Sequence, residues 1–340
     1  MKKILTMLLA LVMLLSIAVT GGAETAEKRH LVFAWVVDNV DLSQQSFIDY
    51  AQVYIDYLNS TREDFSLEIK IMDGQASVDK QIGDMETAIA MGVDGIILSC
   101  VDPVGLTPAA ESAMAAGIPV LDWRDMGGVC TITFQMTDEN AKGVAVSDWL
   151  AEYLEANPEE ELRIGMIWGA TSHPNCFPRM EAAKGVAEQY PDRCEFVVDQ
   201  YGDWGADSAM KIMEDWLQVY DLNCIVAANE EMMIGVSEVL RGAGVLDDFL
   251  LITYNGEAPG LEMLAEGTID MDVGSLPSVG TPLLVEYAIN MVLDGLSGSF
   301  DITDQTLWTV TPENLEEYQA LLTDTDWSNP PFESTLKESY

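Results

Sequence analysis

"DKQIGDMETAIAMGVDGIILSCVDPVGLTPAAESAMAAGIPV", residues 79–120, sets the fold class. With Val78 just ahead of it, apolar residues fall at Ile82, Met85 and Ile89, the spacing of one helix face. "GVDGIIL" (92–98) breaks that period with a glycine and continues as an apolar run of strand length. Leu106–Ala116 returns to a helical pattern, and "IPVL" (118–121) is a second short strand. Parallel neighbours need a crossover between them, so strand–helix–strand with short joins reads as a parallel sheet. Upstream, Leu31–Val37 and Leu67–Met72 add strands around a helix at Ser43–Asn59. Downstream come a short strand at Thr131–Phe134 and a helix at Asp138–Glu155, and then the pattern restarts. Strands at Arg163–Trp168, Glu195–Val198, "CIVAA" (224–228) and "FLLITY" (249–254) alternate with helices at Phe177–Tyr190, Ala206–Val219 and Glu231–Ala243. The expectation is α/β, with two Rossmann-like parallel-sheet lobes that pack face to face and hinge.

The bulk properties fit that size and class. The chain has 340 residues, more than one core usually serves, and 49% of them are hydrophobic, which places it among globular proteins. A formal charge of -41 argues against nucleic acid and anionic lipid as partners. Lys2 and Lys3, the apolar run Ile4–Val19 and the small residues of "TGGAE" form the three regions of a secretory signal peptide, with cleavage expected after Ala23. No cysteine follows that run to carry a lipid, so the expectation is a soluble, exported protein in the periplasm or outside the cell. The five cysteines, Cys100, Cys130, Cys176, Cys194 and Cys224, are widely spaced and match no zinc pattern.

In open parallel sheets, ligands sit beyond the carboxyl ends of the strands. Those ends are polar throughout. They read "DNVDLSQQSF" (38–47), "CVDP" (100–103), "DWRD" (122–125), "GATSHPNCFPR" (169–179), "DQYGDW" (199–204), "NEE" (229–231) and "NGE" (255–257). One such end is ordinary loop chemistry. Seven of them, divided between two units, describe a single cleft with two polar walls.

Over Leu31–Asn314 the chain resembles the ribose/galactose type of type I periplasmic binding proteins, the solute receptors of ABC importers. The segment quoted at the start carries the resemblance together with "AANEEMMIGVSEVLRGAG" (227–244) and "YNGEAPGLEMLAEGTID" (254–270). The resemblance implies two lobes joined by a three-strand hinge. They are expected at 28–136 plus 276–308 and at 137–275 plus 309–340, with crossings near Met136, Ser275 and Trp308. It also implies ligand-contacting positions. The family's D-L-S-N-P-F-F loop aligns Gln44 and Phe47, with Ser46 in place of the first aromatic. Its Asp-Arg strand end meets Arg124-Asp125 in reversed order, and its R-x-x-G-F helix start aligns Arg179. Trp204, Asn229 and Asn255 match its A-D-W, A-N-D-E and G-F-D-G segments, and Ser275 stands where a glutamine precedes the second-hinge proline. Asp38, Trp123 and Asn175, in the same strand-end loops, complete the candidate set.

The side-chain chemistry suits a sugar-like ligand. Aromatic rings cover flat C–H faces, arginines donate in planar forks, Asp125 accepts, and asparagines do both. Each residue also has a plainer role open to it. Trp123 is placed to pack between lobes, Asp122 to end a strand in solvent, and Asn229 and Asn255 to cap helices. Pentose, hexose, polyol and nucleoside all remain open as ligands. The expected partner is an ABC permease, with a membrane sensor or chemoreceptor as the alternative. The expected state is a monomer without cofactor or metal. No hydrolase, zincin or nucleotide motif is present, and His173 with Cys176 is the only nucleophile pair in sight. A DNA-binding regulator of this fold needs a headpiece where the signal peptide stands.

Overall fold

The computed structural model describes residues 28–123, 126–171, 176–323 and 325–340. The first sheet is built from β1 (Arg29–Val37), β2 (Phe65–Asp73), β3 (Gly95–Leu98), β4 (Val120–Asp122) and β5 (Ile132–Gln135). Between them run helices α1 (Leu42–Thr61), α2 (Val78–Met91) and α3 (Pro103–Ala115). The second half repeats the scheme with α4 (Glu139–Ala156), β6 (Leu162–Trp168), α5 (Cys176–Ala183), α6 (Gly185–Gln189), β7 (Cys194–Tyr201), α7 (Ala206–Val219), β8 (Cys224–Ala227) and α8 (Glu230–Ala243). It continues through β9 (Leu250–Asn255), α9 (Ala258–Ala265) and β10 (Met271–Ser275). The chain then adds α10 (Pro277–Leu293), β11 (Gly298–Asp301), α11 (Thr303–Thr306), β12 (Leu307–Val310) and α12 (Leu315–Thr323).

The sheets run β11-β5-β4-β3-β1-β2 and β12-β10-β9-β8-β6-β7, and every pair is parallel except β10 with β12. The two α/β lobes read from the sequence are present. Helix starts follow local chemistry. Ser77, Asp102, Asp138 and Asn229 each accept a hydrogen bond from a first-turn amide. Gly92 and Gly244 end α2 and α8 at φ 65° and 74°, a conformation that costs glycine little. The helix expected over Phe177–Tyr190 is two helices, α5 and α6, broken at Lys184. Both pieces sit close on α4: a Cβ on Gly143 would lie 2.1 Å from the Arg179 carbonyl, and one on Gly185 would lie 3.0 Å from Ser147 Oγ.

The chain passes between the sheets three times, after β5, after β10 and between β11 and β12. Thr306 ties these passages together. Its hydroxyl donates to the Met136 carbonyl, and its own carbonyl accepts from Leu276 N at 2.9 Å. The third passage thus lies at 302–306, just ahead of Trp308, which is already paired with Gly274 in the sheet.

The C-terminal segment divides its contacts. Tyr318 is fully buried beneath Gly256 and Gly274 of the second lobe. Leu321 and Leu322 then accept hydrogen bonds from Ser278 and Tyr50, and Thr335, Lys337 and Tyr340 bond to Glu286, Asn290, Arg62 and Asp64. The residues from Asp326 onward, grouped in the sequence reading with the second lobe, therefore lie along α1 and α10. Their partners on α10, Glu286 and Asn290, are buried, and Arg62 and Asp64 after α1 are half-buried.

Candidate ligand-binding site

Both sheets reverse their strand order between the first and third strand of the lobe, β1/β3 and β6/β8, and the carboxyl ends at those points face a cleft of about 600 Å³. On the first wall, Asp38 follows β1 and Ser99 follows β3. Ser99 Oγ donates to Asp38 Oδ1 at 2.9 Å and accepts from Gln44 Nε2 at 3.3 Å. That chain fixes the Gln44 side chain and leaves its buried Oε1 without a partner. Trp123 stands edge-on to Phe47 and Trp35, with ring centroids 4.9 and 6.2 Å away, and is 8% exposed. It therefore packs in the lobe and lines the cleft at once. Asp122, expected at a solvated strand end, is instead fully buried. Its Oδ2 accepts from Met126 N at 2.7 Å, a backbone amide four residues on.

The second wall centres on Arg179, which is 4% exposed. Its Nε and Nη2 bond to Glu139 Oε2 at 2.7 and 2.6 Å, its Nη1 bonds to the Ala228 carbonyl at 2.7 Å, and its guanidinium lies 5.0 Å from the Tyr254 ring centroid. Glu139 Oε1 also takes Lys142 Nζ at 3.2 Å. The sequence reading offered the whole Arg179 fork to ligand. Much of it is committed to Glu139, a partner forty residues away. Trp204 is held by the loop itself: Asp203 and Trp204 have φ of 48° and 65°, and Asn229 Nδ2 donates to the Trp204 carbonyl at 3.1 Å. Gly169 is required there, since a Cβ would sit 2.1 Å from the indole. Asn229 both caps α8, accepting from Met232 N at 2.9 Å, and lines the cleft. Asn255 caps nothing; the cap position of α9 is Glu257, and Asn255 lines the cleft at φ 128°.

Of the twelve candidates, Asp38, Gln44, Phe47, Trp123, Arg179, Trp204, Asn229, Asn255 and Ser275 come together around this cleft. Arg124, Asp125 and Asn175 lie outside the described residues, as do His173 and the signal segment. Cys176 is buried, and burial pushes its thiol up, the reverse of what a nucleophile needs. The cysteines are thiols, with no disulfide joining them.

The acids of this wall were not singled out, although "NEE" and "NGE" contain two of them. Glu230 and Asp272 are buried side by side under Gly260. Burial and mutual repulsion push Glu230 well up, and burial pushes Asp272 up to about 6. Glu257 bonds through its amide to Glu230 Oε1 at 2.6 Å and reaches across the cleft to Ser43. Burial raises it to about 7, with Asp41 and Asp272 adding to the rise and Ser43 and Lys142 opposing it. The native state therefore binds more protons than the unfolded chain between about pH 4.5 and 7, and stability falls as pH rises through that window. Glu257→Gln is expected to flatten the fall and to gain on the order of 2–3 kcal/mol at pH 8. Urea midpoints of the two proteins at pH 5 and pH 8 test it, and parallel curves refute it.

A family model described as a periplasmic binding protein domain matches residues 42–298. The chain belongs to the periplasmic binding protein family. The resemblance to its ribose/galactose type, read from the sequence, holds. The ribose import binding protein of Bacillus subtilis (strain 168) is 24% identical over 223 residues, covering 65% of this chain and 70% of that protein. The galactofuranose-binding protein of Escherichia coli (strain K12) is 24% identical over 237 residues, covering 66% and 72%. Among solved structures, an ABC transporter solute binding protein from Bacillus halodurans C-125 with bound myo-inositol superposes with a TM-score of 0.74 at 25% identity, covering 88% of this chain and 99% of that one.

Proposed function

We propose that this chain captures a sugar-like, polyhydroxylated solute between its lobes, closes on it, and delivers it to an ABC import permease. One observation carries the reading. The switch points of both sheets open on one cleft, where aromatic faces (Trp123, Trp204, Phe47) alternate with side chains that donate and accept. The relatives named above bind ribose, galactofuranose and myo-inositol, solutes of that chemistry. The family consists of binding proteins, and the site holds no activated nucleophile among the described residues. Lobes near 28–136 plus 276–301 and the tail from Asp326, and near 137–275 plus β12 and α12, hinge at the Thr306 knot. Residues 1–23 serve as the export signal, and the mature protein acts as an exported monomer. No helix among the described residues is long and apolar enough to cross a membrane.

A thermal-shift panel of pentoses, hexoses, cyclitols and nucleosides is the test. A true ligand at a thousandfold excess over Kd stabilises by roughly 4 kcal/mol. At saturation the radius of gyration should shrink in small-angle scattering. No shift across the panel, or an unchanged scattering profile with a bound ligand, counts against capture by closure.

A further inference from the structure

The polar end of the first lobe holds a one-way chain of hydrogen bonds. Asp38 follows β1, Ser99 follows β3, and Gln44 lies in the first turn of α1. Backbone contacts fix all three. Ala76 N donates to the Asp38 carbonyl at 2.8 Å, and Ser99 N donates to the Val36 carbonyl at 2.9 Å. Gln81 of α2 grips the Ser99 loop from behind: its Nε2 donates to the Ser99 carbonyl and its Oε1 accepts from Val101 N, each at 2.8 Å. Gly74 permits that approach, since a Cβ there would lie 2.4 Å from Gln81 Cγ. Asp41 caps α1 by accepting from Gln44 N at 2.8 Å, which sets where the Gln44 side chain leaves the helix.

The direction of the chain follows from the groups in it. An ionised carboxylate only accepts, so the single hydrogen of the Ser99 hydroxyl goes to Asp38 Oδ1, at 2.9 Å. Ser99 Oγ then offers lone pairs, and the Gln44 amide turns its Nε2 to them at 3.3 Å. Reversing the amide would set two acceptors against each other. Ser99 is fully buried behind the wall, whereas Gln44 lines the cleft and is 1% exposed. The oxygen left over, Gln44 Oε1, is buried without a partner. A glutamine free to rotate offers either end of its amide; this one offers an acceptor alone. Leaving that acceptor unmet is costly.

We infer that Ser99 is a positioning residue for the ligand: it relays the acceptor character of Asp38 to Gln44, so that Gln44 Oε1 is presented to the cleft and the ligand group seated there is a hydroxyl that donates. This rests on the solute-binding reading above and adds which kind of ligand group the first lobe reads and what sets that reading. An ether, a deoxy carbon or a carbonyl at the same place leaves the oxygen unmet, and the site discriminates against all three.

The test is a cycle of ligand hydroxyl deletion against side-chain change, read by calorimetric titration. The probes are D-ribose, D-allose, D-galactose and myo-inositol, each with its single-deoxy analogues. For a probe that binds, one analogue is expected to lose at least about tenfold on the unmodified protein. In Ser99→Ala, and in Gln44→Met, that one penalty should shrink to about threefold or less, while the penalties of the other analogues stay as they were. A merely structural role for Ser99 weakens every analogue alike and leaves all the ratios unchanged. That result overturns the inference, as does a penalty that shrinks in Gln44→Met alone, and the solute-receptor reading survives both. Asp38→Asn is the second variant, used if circular dichroism shows Ser99→Ala to be unfolded. An amide at 38 can donate, which releases the Ser99 hydrogen to Gln44 and turns its amide round, so the same penalty should shrink; unchanged ratios there overturn the inference too. If none of the four probes binds the folded, unmodified protein, the sugar-receptor reading falls and takes this inference with it.

Discussion

Arg179→Ala is expected to destabilise the unliganded protein by about 3–5 kcal/mol, in addition to abolishing ligand binding. The residue is 4% exposed, and three of its nitrogens are engaged: two on one oxygen of Glu139, one on the Ala228 carbonyl just past β8. Truncation removes both guanidinium bonds from the Glu139 carboxylate, strips the Ala228 carbonyl of its donor, and empties the space beside Tyr254. Removing one member of a buried ion cluster is costly chiefly because of the charge left behind. Arg179→Lys keeps the charge but not the fork, and should recover only part of the loss. Trp204→Ala provides the contrast. Its indole is half-buried on Gly169, so its cost should fall more on ligand stacking than on the fold. Chemical denaturation without ligand separates the cases: a lowered midpoint at constant slope is expected for Arg179→Ala. A midpoint within experimental scatter of the parent would mean that the Arg179–Glu139–Lys142 cluster does not hold the wall together.

The sequence reading offered the Arg179 fork to a ligand, and the reason it is spent within the wall shows what a linear reading can reach. Periodicity is local, so the strands and helices from Leu31 to Tyr254 were legible in outline, as were the polar strand ends that line the cleft, whereas β10, which carries Ser275, was not read as a strand. Arg179 was placed correctly at a helix start, but its partner is set by how α5 lies on α4. That contact depends on Gly143 and Gly185, which look like ordinary helix glycines. Asp122 failed for a similar reason. Nothing local to "DWRD" says that its first carboxylate accepts from Met126 N rather than from solvent. Asp272 was hidden differently: it sits inside an apolar strand, "MDVGS", where the buried acid has its counterpart in a neighbouring element, Glu230. Charges read from sequence thus locate the site. Which of them are spent on one another, and which remain for a ligand, is decided by tertiary contacts.

The same distinction governs the C-terminal tail, where Glu286→Ala is expected to cost about 3–5 kcal/mol and to free the residues after Asp326. Glu286 lies on α10 with no exposure, and one carboxylate gathers four donors. Tyr54 Oη and Ser334 Oγ bond to its Oε1 at 2.5 and 2.7 Å, and Thr335 N and Oγ1 bond to its Oε2 at 2.5 and 2.9 Å. Burial and the neighbouring carboxylate keep the Tyr54 phenol protonated, so it remains a donor. The acceptor is therefore the keystone of a strap that also pairs Asn290 with Thr335 and Arg62 with the Lys337 carbonyl. Charge-assisted hydrogen bonds are individually worth about 1.5–3 kcal/mol, and here they share one group, so their loss is less than additive. Glu286→Gln keeps the shape but turns one acceptor into a donor facing donors, and should cost a substantial part of the same amount. Denaturation midpoints give the magnitude. Limited proteolysis gives the location: cleavage after Asp326 should precede any cut within either sheet in the variant and not in the parent. A destabilised Glu286→Ala protein whose tail stays as resistant as the parent's would mean that the carboxylate supports the packing of α1 on α10, with the strap held by Arg62, Asp64 and Asn290 instead.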